Sequence, residues 1–215
     1  MTVCLLWLGR DRFEIYSEPP EDSLAPPAAA DGRFRRWSHT AWVQWQELVA
    51  TARHGRATGR FARWRDTVVG HLAETIAEQR TLWALRAENE AVLLFPASLT
   101  PGHARRSLDA VLAAAKRKHG VWLAADAVLL AVSAILAPIP GPNAIAYYLA
   151  FRVVGHVFSW RGAHRSMTAV AWTLTPDDGL AELATLVGQP RAVRSARVAA
   201  IAARLHLHRL LAYFG

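Results

Sequence analysis

The chain has little cysteine, and it lacks the short motifs by which many enzymes are recognised. Cys4 is the only cysteine among 215 residues, so an intrachain disulfide is excluded and the redox compartment stays open. The sequence holds no Walker glycine–lysine loop, no dinucleotide-binding glycine pattern, no His-Glu-x-x-His and no nucleophile elbow. His206 and His208 are two residues apart and diverge on a helix, which makes them a poor metal pair. We therefore predict no catalytic residue, no metal, no cofactor and no enzymatic activity.

The sequence also lacks a long uninterrupted apolar run, and its longest ones only reach the lower limit for a membrane-spanning helix, roughly 17 residues. Two shorter apolar runs, Val121–Ala137 and Asn143–Trp160, flank a proline-rich stretch instead. Prolines cannot continue a helix, because they lack a backbone donor and bias the preceding residue away from helical angles. The pattern predicts two helices folded back on each other, with Asn143 capping the second one. The predicted turn and cap consist of Pro140, Gly141, Pro142 and Asn143.

Two environments remain open for this apolar hairpin: a lipid bilayer and a protein core. A spanning helix needs roughly 17 to 25 apolar residues, so the arms fit either full spans or a re-entrant hairpin. Trp122 and Trp160 lie at the outer ends, which a hairpin brings to one level as interface anchors. Basic residues flank the same ends, which favours the cytoplasmic side: Arg105, Arg106, Lys116, Arg117, Lys118, Arg161 and Arg165. We predict membrane association; the alternative is a buried hairpin in a soluble domain.

Acidic residues are scarce outside the N-terminal region. Residues 1–32 hold six acidic and two basic side chains, whereas the rest of the chain holds 11 acidic and 23 basic ones. Residues 33–66 contain eight arginines with interleaved tryptophans, a pattern that suits base stacking on nucleic acid or contact with an anionic bilayer. Because an apolar hairpin follows, we favour lipid over nucleic acid as the partner. The overall apolar fraction of 53% is too ordinary for a polytopic channel.

Three ionisable side chains inside the apolar arms are the candidates for proton- or ion-linked chemistry. Asp126 lies fourteen residues before Pro140, and His156 lies fourteen after Pro142. At about 1.5 Å per residue, both lie about 21 Å from the turn. Arg152 is one helical turn closer and shares a face with His156. Ionisable groups at membrane depth generally pair and often mark proton routes; the alternative is a structural ion pair near the headgroups.

The whole pattern predicts a mainly α fold of the α+β class, with an N-terminal β-hairpin and one further strand. Ala91–Phe95 is that third strand, expected to pair with the hairpin. Thr100 and Pro101 predict a helix start, and this helix is expected to close near His119 and Gly120. The predicted segments are a β-hairpin at 1–18, a linker at 19–32, a helical or α+β region at 33–120, the apolar hairpin at 121–160 and amphipathic helices at 161–215.

A series of short motifs extends in a fixed order over about residues 78–165. It comprises the run Glu78-Gln79-Arg80-Thr81-Leu82-Trp83, the strand end Leu94-Phe95-Pro96, then His119, Asp126, the turn Pro138-Ile139-Pro140-Gly141-Pro142-Asn143, Tyr147-Tyr148, Arg152, His156 and Gly162. This order resembles the mitochondrial K⁺–H⁺ exchange-related family, which also has bacterial members. The resemblance implies membrane association and a link to potassium–proton exchange, and it carries over no catalytic residues. Because an Arg-rich presequence and a secretory signal are lacking, a bacterial-type inner membrane protein is expected rather than a mitochondrial one.

These observations predict a small, non-catalytic, membrane-associated protein that supports or regulates potassium–proton exchange. One hairpin is too little for an alternating-access pathway, so a homo-oligomer or a partner cation transporter is expected. The alternative is a soluble, basic helical module that binds nucleic acid or acts as an interaction scaffold. Such a module would stay in solution without detergent, and its binding would weaken steeply with salt.

Overall fold

The computed structural model describes most of residues 1–18 and most of residues 78–210. The described residues are 1–10, 12–18, 78–135, 143–207 and 210, with only the backbone described at 134–135, 143–148 and 191–192. They belong to one compact unit. The predicted linker at 19–32, the arginine-rich stretch at 33–66 and the turn residues Pro140, Gly141 and Pro142 lie outside them.

A small sheet with the strand order β2–β1–β3–β4 forms the centre of this unit. Its strands are β1 (Thr2–Trp7), β2 (Phe13–Tyr16), β3 (Glu90–Pro96) and β4 (Ala171–Asp177). The predicted N-terminal hairpin is confirmed, because β1 and β2 pair antiparallel with Leu5 opposite Ile15. The predicted third strand also pairs with it, since β3 runs parallel to β1.

The fourth strand is absent from the sequence prediction. β4 pairs parallel with β3 at the edge of the sheet, and its Pro176 lies opposite Phe95. The sequence predicts only amphipathic helices at 161–215, but proline is also tolerated on an edge strand, where one backbone side needs no partner. The helix that follows begins at Asp178, and the Asp177 side chain caps it by accepting the Leu180 N–H at 2.8 Å.

Five helical segments are described alongside the sheet: α1 (78–85), α2 (Pro101–Ile135), α3 (Asn143–Thr168), α4 (Asp178–Thr185) and α5 (Arg191–Arg204). The predicted start of α2 is confirmed, with the Thr100 hydroxyl accepting the His103 N–H at 3.3 Å. The predicted end near His119 and Gly120 is wrong, since α2 continues unbroken to Ile135. Glycine weakens a helix by about 1 kcal/mol but keeps its N–H donor, so packing on one face can hold the helix together. At Gly120 that packing is the indole of Trp160, 3.4 Å from where a Cβ would stand.

Apolar side chains cover both faces of the sheet. Val3 and Leu5 of β1 join a buried cluster with residues of α1, α2 and α3, whereas Cys4 and Leu6 join a second one with residues of α4 and α5. This division follows from the alternation of side chains along a strand. The result is a mainly α fold with a central sheet, and the predicted α+β class is confirmed.

A buried hydrogen bond joins the residue after β2 to α1. The Ser17 hydroxyl donates a hydrogen bond to the Thr81 hydroxyl oxygen at 3.1 Å, and both side chains are buried. The two residues are 64 positions apart in the sequence. β2 and α1 therefore meet at this point, whatever lies between them in the chain.

The distal half of α2 carries a stripe of exposed apolar side chains. Its members, each half exposed or more, are Val121, Trp122, Val128, Leu129 and Val132. Spacings of three, four and seven residues place them along one side of the helix. Within the described part of the chain, no helix combines the length and the apolarity needed to cross a bilayer, so the predicted transmembrane helices are not supported.

Candidate functional site

The three ionisable residues predicted from the apolar arms lie together where α2 packs on α3. The Asp126 Oδ2 atom is 2.9 Å from Arg152 Nε and 3.3 Å from His156 Nε2. The Asp126 side chain is only 2% exposed, so the carboxylate depends on these two partners. Their proximity is a structural fact; their role as proton- or ion-linked residues stays a prediction.

Arg152 connects this buried carboxylate to the exposed side of α2. Its side chain is one-third exposed, and its guanidinium carbon lies 5.6 Å from the centre of the Trp122 ring. Arginine can hold both contacts at once, since its planar head stacks on aromatic faces while its N–H groups bind a carboxylate. Asp126 is thereby linked through Arg152 to the exposed apolar stripe of α2.

His119 completes the site, although the sequence analysis assigns it to the end of a helix. Its Nδ1 atom lies 2.9 Å from the Nδ1 atom of His156, and the two rings are 5.2 Å apart at 41°. The His119 side chain is 1% exposed. Had Gly120 been allowed inside a continuous helix, the seven-residue spacing of His119 and Asp126 would have placed both on one face.

Burial keeps both imidazoles neutral near neutral pH. It lowers the pKa of His119 from 6.5 to about 3, with further lowering by the charges of Lys118 and His156. Burial also lowers the pKa of His156; the Asp126 carboxylate opposes this, while Arg152 and Lys118 add to it. The cause in both cases is the loss of water around a cation.

Glu78 of α1 closes the other end of the cluster. Its Oε2 atom accepts a hydrogen bond from Lys118 Nζ at 2.6 Å, and its Oε1 atom is 3.8 Å from His119 Nε2. That last distance is too long for a hydrogen bond. His119 Nε2 is buried and has no hydrogen-bond partner among the described residues. Glu78 itself is about one-fifth exposed and so reaches solvent.

A row of small residues on α3 lets α1 approach closely enough to bring Glu78 into place. Gly155 faces the Trp83 indole, whose Nε1–H donates to Ser159 Oγ at 2.9 Å and to the Gly155 carbonyl at 3.2 Å. Gly162 lies directly against the Leu82 carbonyl. Positions 155, 159 and 162 recur at helical spacing, so they form one continuous contact face.

The remaining predicted residues have separate surroundings. Trp122 is half exposed in the apolar stripe, whereas Trp160 is partly buried and stacks on the His164 ring at 5.5 Å. α3 begins at Asn143, as predicted for the second arm, but its side chain lies outside the described residues. The anchoring and capping roles stay predictions. Among the described residues, no group of three or more His, Cys, Asp or Glu side chains is placed to hold a metal ion.

Comparison with known proteins assigns a family. A family profile described as mitochondrial K⁺–H⁺ exchange-related matches residues 9–169, about three quarters of the chain. The chain belongs to the mitochondrial K⁺–H⁺ exchange-related family. No curated protein and no solved structure matches it. The resemblance predicted from the sequence is confirmed, and the family's name indicates a role related to potassium–proton exchange.

The matched residues of this K⁺–H⁺ exchange-related chain include the whole candidate site. Glu78, His119, Asp126, Arg152 and His156 all lie within residues 9–169. So do β2, β3 and the three helices that carry these side chains, whereas β1 ends at Trp7, before the match begins. The helices α4 and α5, which cover the opposite face of the sheet, lie beyond the match.

Proposed function

We propose that this protein supports or regulates potassium–proton exchange at a membrane as a non-catalytic accessory. The observation that carries the proposal is the buried imidazole pair beside the Asp126 carboxylate. A neutral imidazole can accept a proton at one ring nitrogen and release one from the other, and burial keeps both rings of this pair neutral near neutral pH. A cluster of this kind, in a chain of this family, suits a protein that responds to protons.

The proposed membrane contact is the exposed apolar stripe of α2. Leu129 and Val132 are each more than half exposed, and contiguous exposed apolar surface commonly marks an interaction site. The chain carries a formal charge of +8, which attracts anionic lipid headgroups. A helix with an apolar side can lie in the headgroup region with that side turned toward the acyl chains.

The proposed location is the cytoplasm-facing side of a bacterial-type inner membrane. Basic residues surround the outer ends of the two helical arms, and positive charge is retained on the cytoplasmic side. Ion movement itself is assigned to a partner cation transporter or to a homo-oligomer, because exchange by alternating access uses paired helical repeats around a central site.

Vesicle flux measurements test this function. Potassium-dependent proton flux is followed with a pH-sensitive dye in inner-membrane vesicles from cells that express or lack the chain. We expect the flux to change with the chain, and the change to be reduced by His156→Ala. The matched control is His103→Ala, since His103 is exposed on α2 and remote from the pair. Equal flux with and without the chain would contradict any role in exchange.

Fractionation tests the membrane association separately. After an alkaline carbonate wash, the proposal expects the chain in the membrane pellet. Recovery in the supernatant, together with salt-sensitive binding to nucleic acid, would favour the soluble alternative.

A further inference from the structure

The hydrogen atoms of the His119–His156 pair are fixed by the groups at its two ends. A carboxylate oxygen repels a lone pair, so the neutral His156 places its hydrogen on Nε2, which lies 3.3 Å from Asp126 Oδ2. A neutral imidazole has one N–H, which leaves His156 Nδ1 bare. The 2.9 Å contact then requires the hydrogen of His119 to be on its Nδ1. His119 Nε2 is therefore bare, with its lone pair turned toward Glu78.

That bare nitrogen is the one position in the chain of contacts where a proton can enter. It is buried, it has no hydrogen-bond partner among the described residues, and a carboxylate oxygen lies 3.8 Å from it. A lone pair facing a carboxylate oxygen forms no hydrogen bond, whereas an N–H group at the same place could donate one to the anion. A Glu78 carboxylate would therefore attract a proton to this nitrogen. The neighbour on the far side is Glu78, whose side chain is about one-fifth exposed and so reaches solvent.

We propose that His119 and His156 form a reversible proton relay between the Glu78 and Asp126 carboxyl groups. The relay's place in potassium–proton exchange rests on the proposed function, whereas the relay itself rests on this geometry alone. Among the residues that the structure describes, the charged groups facing the rings are Glu78 from α1, Lys118 and Asp126 from α2, and Arg152 from α3.

The transfer moves one proton through three pairs of bonds. The Glu78 carboxyl first has to close its 3.8 Å distance to His119 Nε2, which a side-chain rotation can do. Its O–H bond then breaks as an N–H bond forms at His119 Nε2, and the His119 Nδ1–H bond breaks as one forms at His156 Nδ1. The His156 Nε2–H bond then breaks as an O–H bond forms on Asp126. Glu78 ends as a carboxylate and Asp126 as a neutral acid. Both rings end neutral with exchanged tautomers, so no oxidant, reductant or further reactant is needed.

Because the transfer exchanges the tautomers, the relay passes one proton and then has to reset before it can pass another. Before a second proton can follow, the pair must return the first one or turn both rings over, and the buried ring of His119 has no room to turn freely. Burial also lowers the pKa of both rings, so that neither traps the proton in transit. After the transfer, Asp126 no longer carries the negative charge that holds Arg152, which also contacts Trp122.

The decisive property is that the two tautomers are coupled over the whole cluster. In the purified full-length protein, imidazole ¹⁵N chemical shifts report the position of each hydrogen. At pH 7.5, about one unit above the ordinary pKa of histidine, we expect the Nδ1–H form for His119 and the Nε2–H form for His156. In Asp126→Asn, the Oδ1 atom of the new side chain can still accept from Arg152, which leaves its Nδ2–H₂ group to donate to His156 Nε2. We then expect His119 to shift mainly to its Nε2–H form.

Asp109→Asn alters an exposed carboxylate of the same helix, paired with Arg105, and leaves both tautomers unchanged. If Asp126→Asn does not fold, the double variant Asp126→Asn/Arg152→Gln also removes the arginine charge and carries the same expectation. A His119 tautomer that stays on Nδ1 in the folded variant would overturn the relay. Loss of any chain-dependent flux would overturn the proposed function while leaving the tautomer result intact.

Discussion

Gly162 of α3 lies directly against the backbone carbonyl of Leu82 in α1. A backbone atom cannot move aside as the end of a side chain can, so the contact fixes how closely the two helices approach. The same contact places Glu78, one turn earlier on α1, beside His119 and Lys118. The geometry of the candidate site therefore depends on glycine at position 162, where any other residue would place a Cβ atom against this carbonyl.

Gly162→Ala should destabilise the fold by about 2 kcal/mol, since an added methyl in a packed interface forces backbone shifts. Urea unfolding followed by circular dichroism measures the change. The matched control is Gly102→Ala on α2, where a Cβ would meet nothing within 4 Å. That variant should be neutral or slightly more stable, because alanine favours a helix over glycine. Equal stability of the two variants would disprove the close contact.

Acid should destabilise the protein through His119. Its pKa is about 3 in the folded chain against 6.5 as the ordinary value, so between these pH values the unfolded chain binds a proton that the folded chain does not. The stabilisation is complete above pH 6.5 and is lost as the pH falls toward 3, by about 3 kcal/mol at pH 4. His119→Asn keeps a donor for His156 and does not titrate. Its free energy of unfolding should fall less than that of the wild type between pH 7 and pH 4, and parallel curves would refute the assignment.

Breaking the Asp126–Arg152 pair should cost more than removing it. Asp126→Leu leaves the Arg152 charge partly buried without its carboxylate, and we expect a loss of about 2 to 3 kcal/mol. The double variant Asp126→Leu/Arg152→Leu should recover at least half of that loss. A double-mutant cycle from urea unfolding gives the coupling energy. A coupling near zero would show that the pair contributes nothing to the interface of α2 and α3.

Charge placed in the apolar stripe should weaken binding to anionic vesicles. Leu129→Glu and Val132→Glu each add a negative charge where acyl contact is proposed, and we expect at least a tenfold loss of affinity from the double variant. Val193→Glu is the control, since Val193 is 61% exposed on α5, outside the stripe. Cosedimentation with vesicles rich in phosphatidylglycerol measures the binding. If all three changes weaken binding equally, net charge and not the stripe is responsible.

Cys4 should be unreactive in the folded protein. It lies in the core beneath α4 and α5, and burial raises the pKa of its thiol to about 12. Because the thiolate is the reactive form, a maleimide at pH 8 should label the native protein very slowly and the urea-unfolded protein fully. Rapid labelling of the native chain would show that β1 opens readily.

Local patterns predict the elements of this fold where one signal dominates. Thr100 and Pro101 mark the start of α2 because capping and proline geometry act within one turn. Counting residues from the turn brings Asp126 to the level of Arg152 and His156, since helical rise is constant. Where signals conflict, the prediction fails. Gly120 indicates a helix end when read locally, but its missing side chain makes room for Trp160.

The parts of the site that the sequence does not predict depend on contacts between distant segments. Glu78 and His119 meet only because Gly155 and Gly162 let α1 approach α3, and no local pattern encodes that distance. β4 is not predicted for a related reason. Pro176 is compatible with an edge strand and with the start of a helix, and only the pairing with β3 decides between them.

The hydrogen bond between the Ser17 and Thr81 hydroxyls joins two points that are 64 positions apart along the chain. The entropic cost of bringing two chain positions together grows only logarithmically with their separation in sequence, at about 0.6 kcal/mol for each doubling. A change in the number of residues between Ser17 and Thr81 would therefore alter the free energy of this contact little. We expect that number to vary among relatives that keep the same sheet and histidine pair.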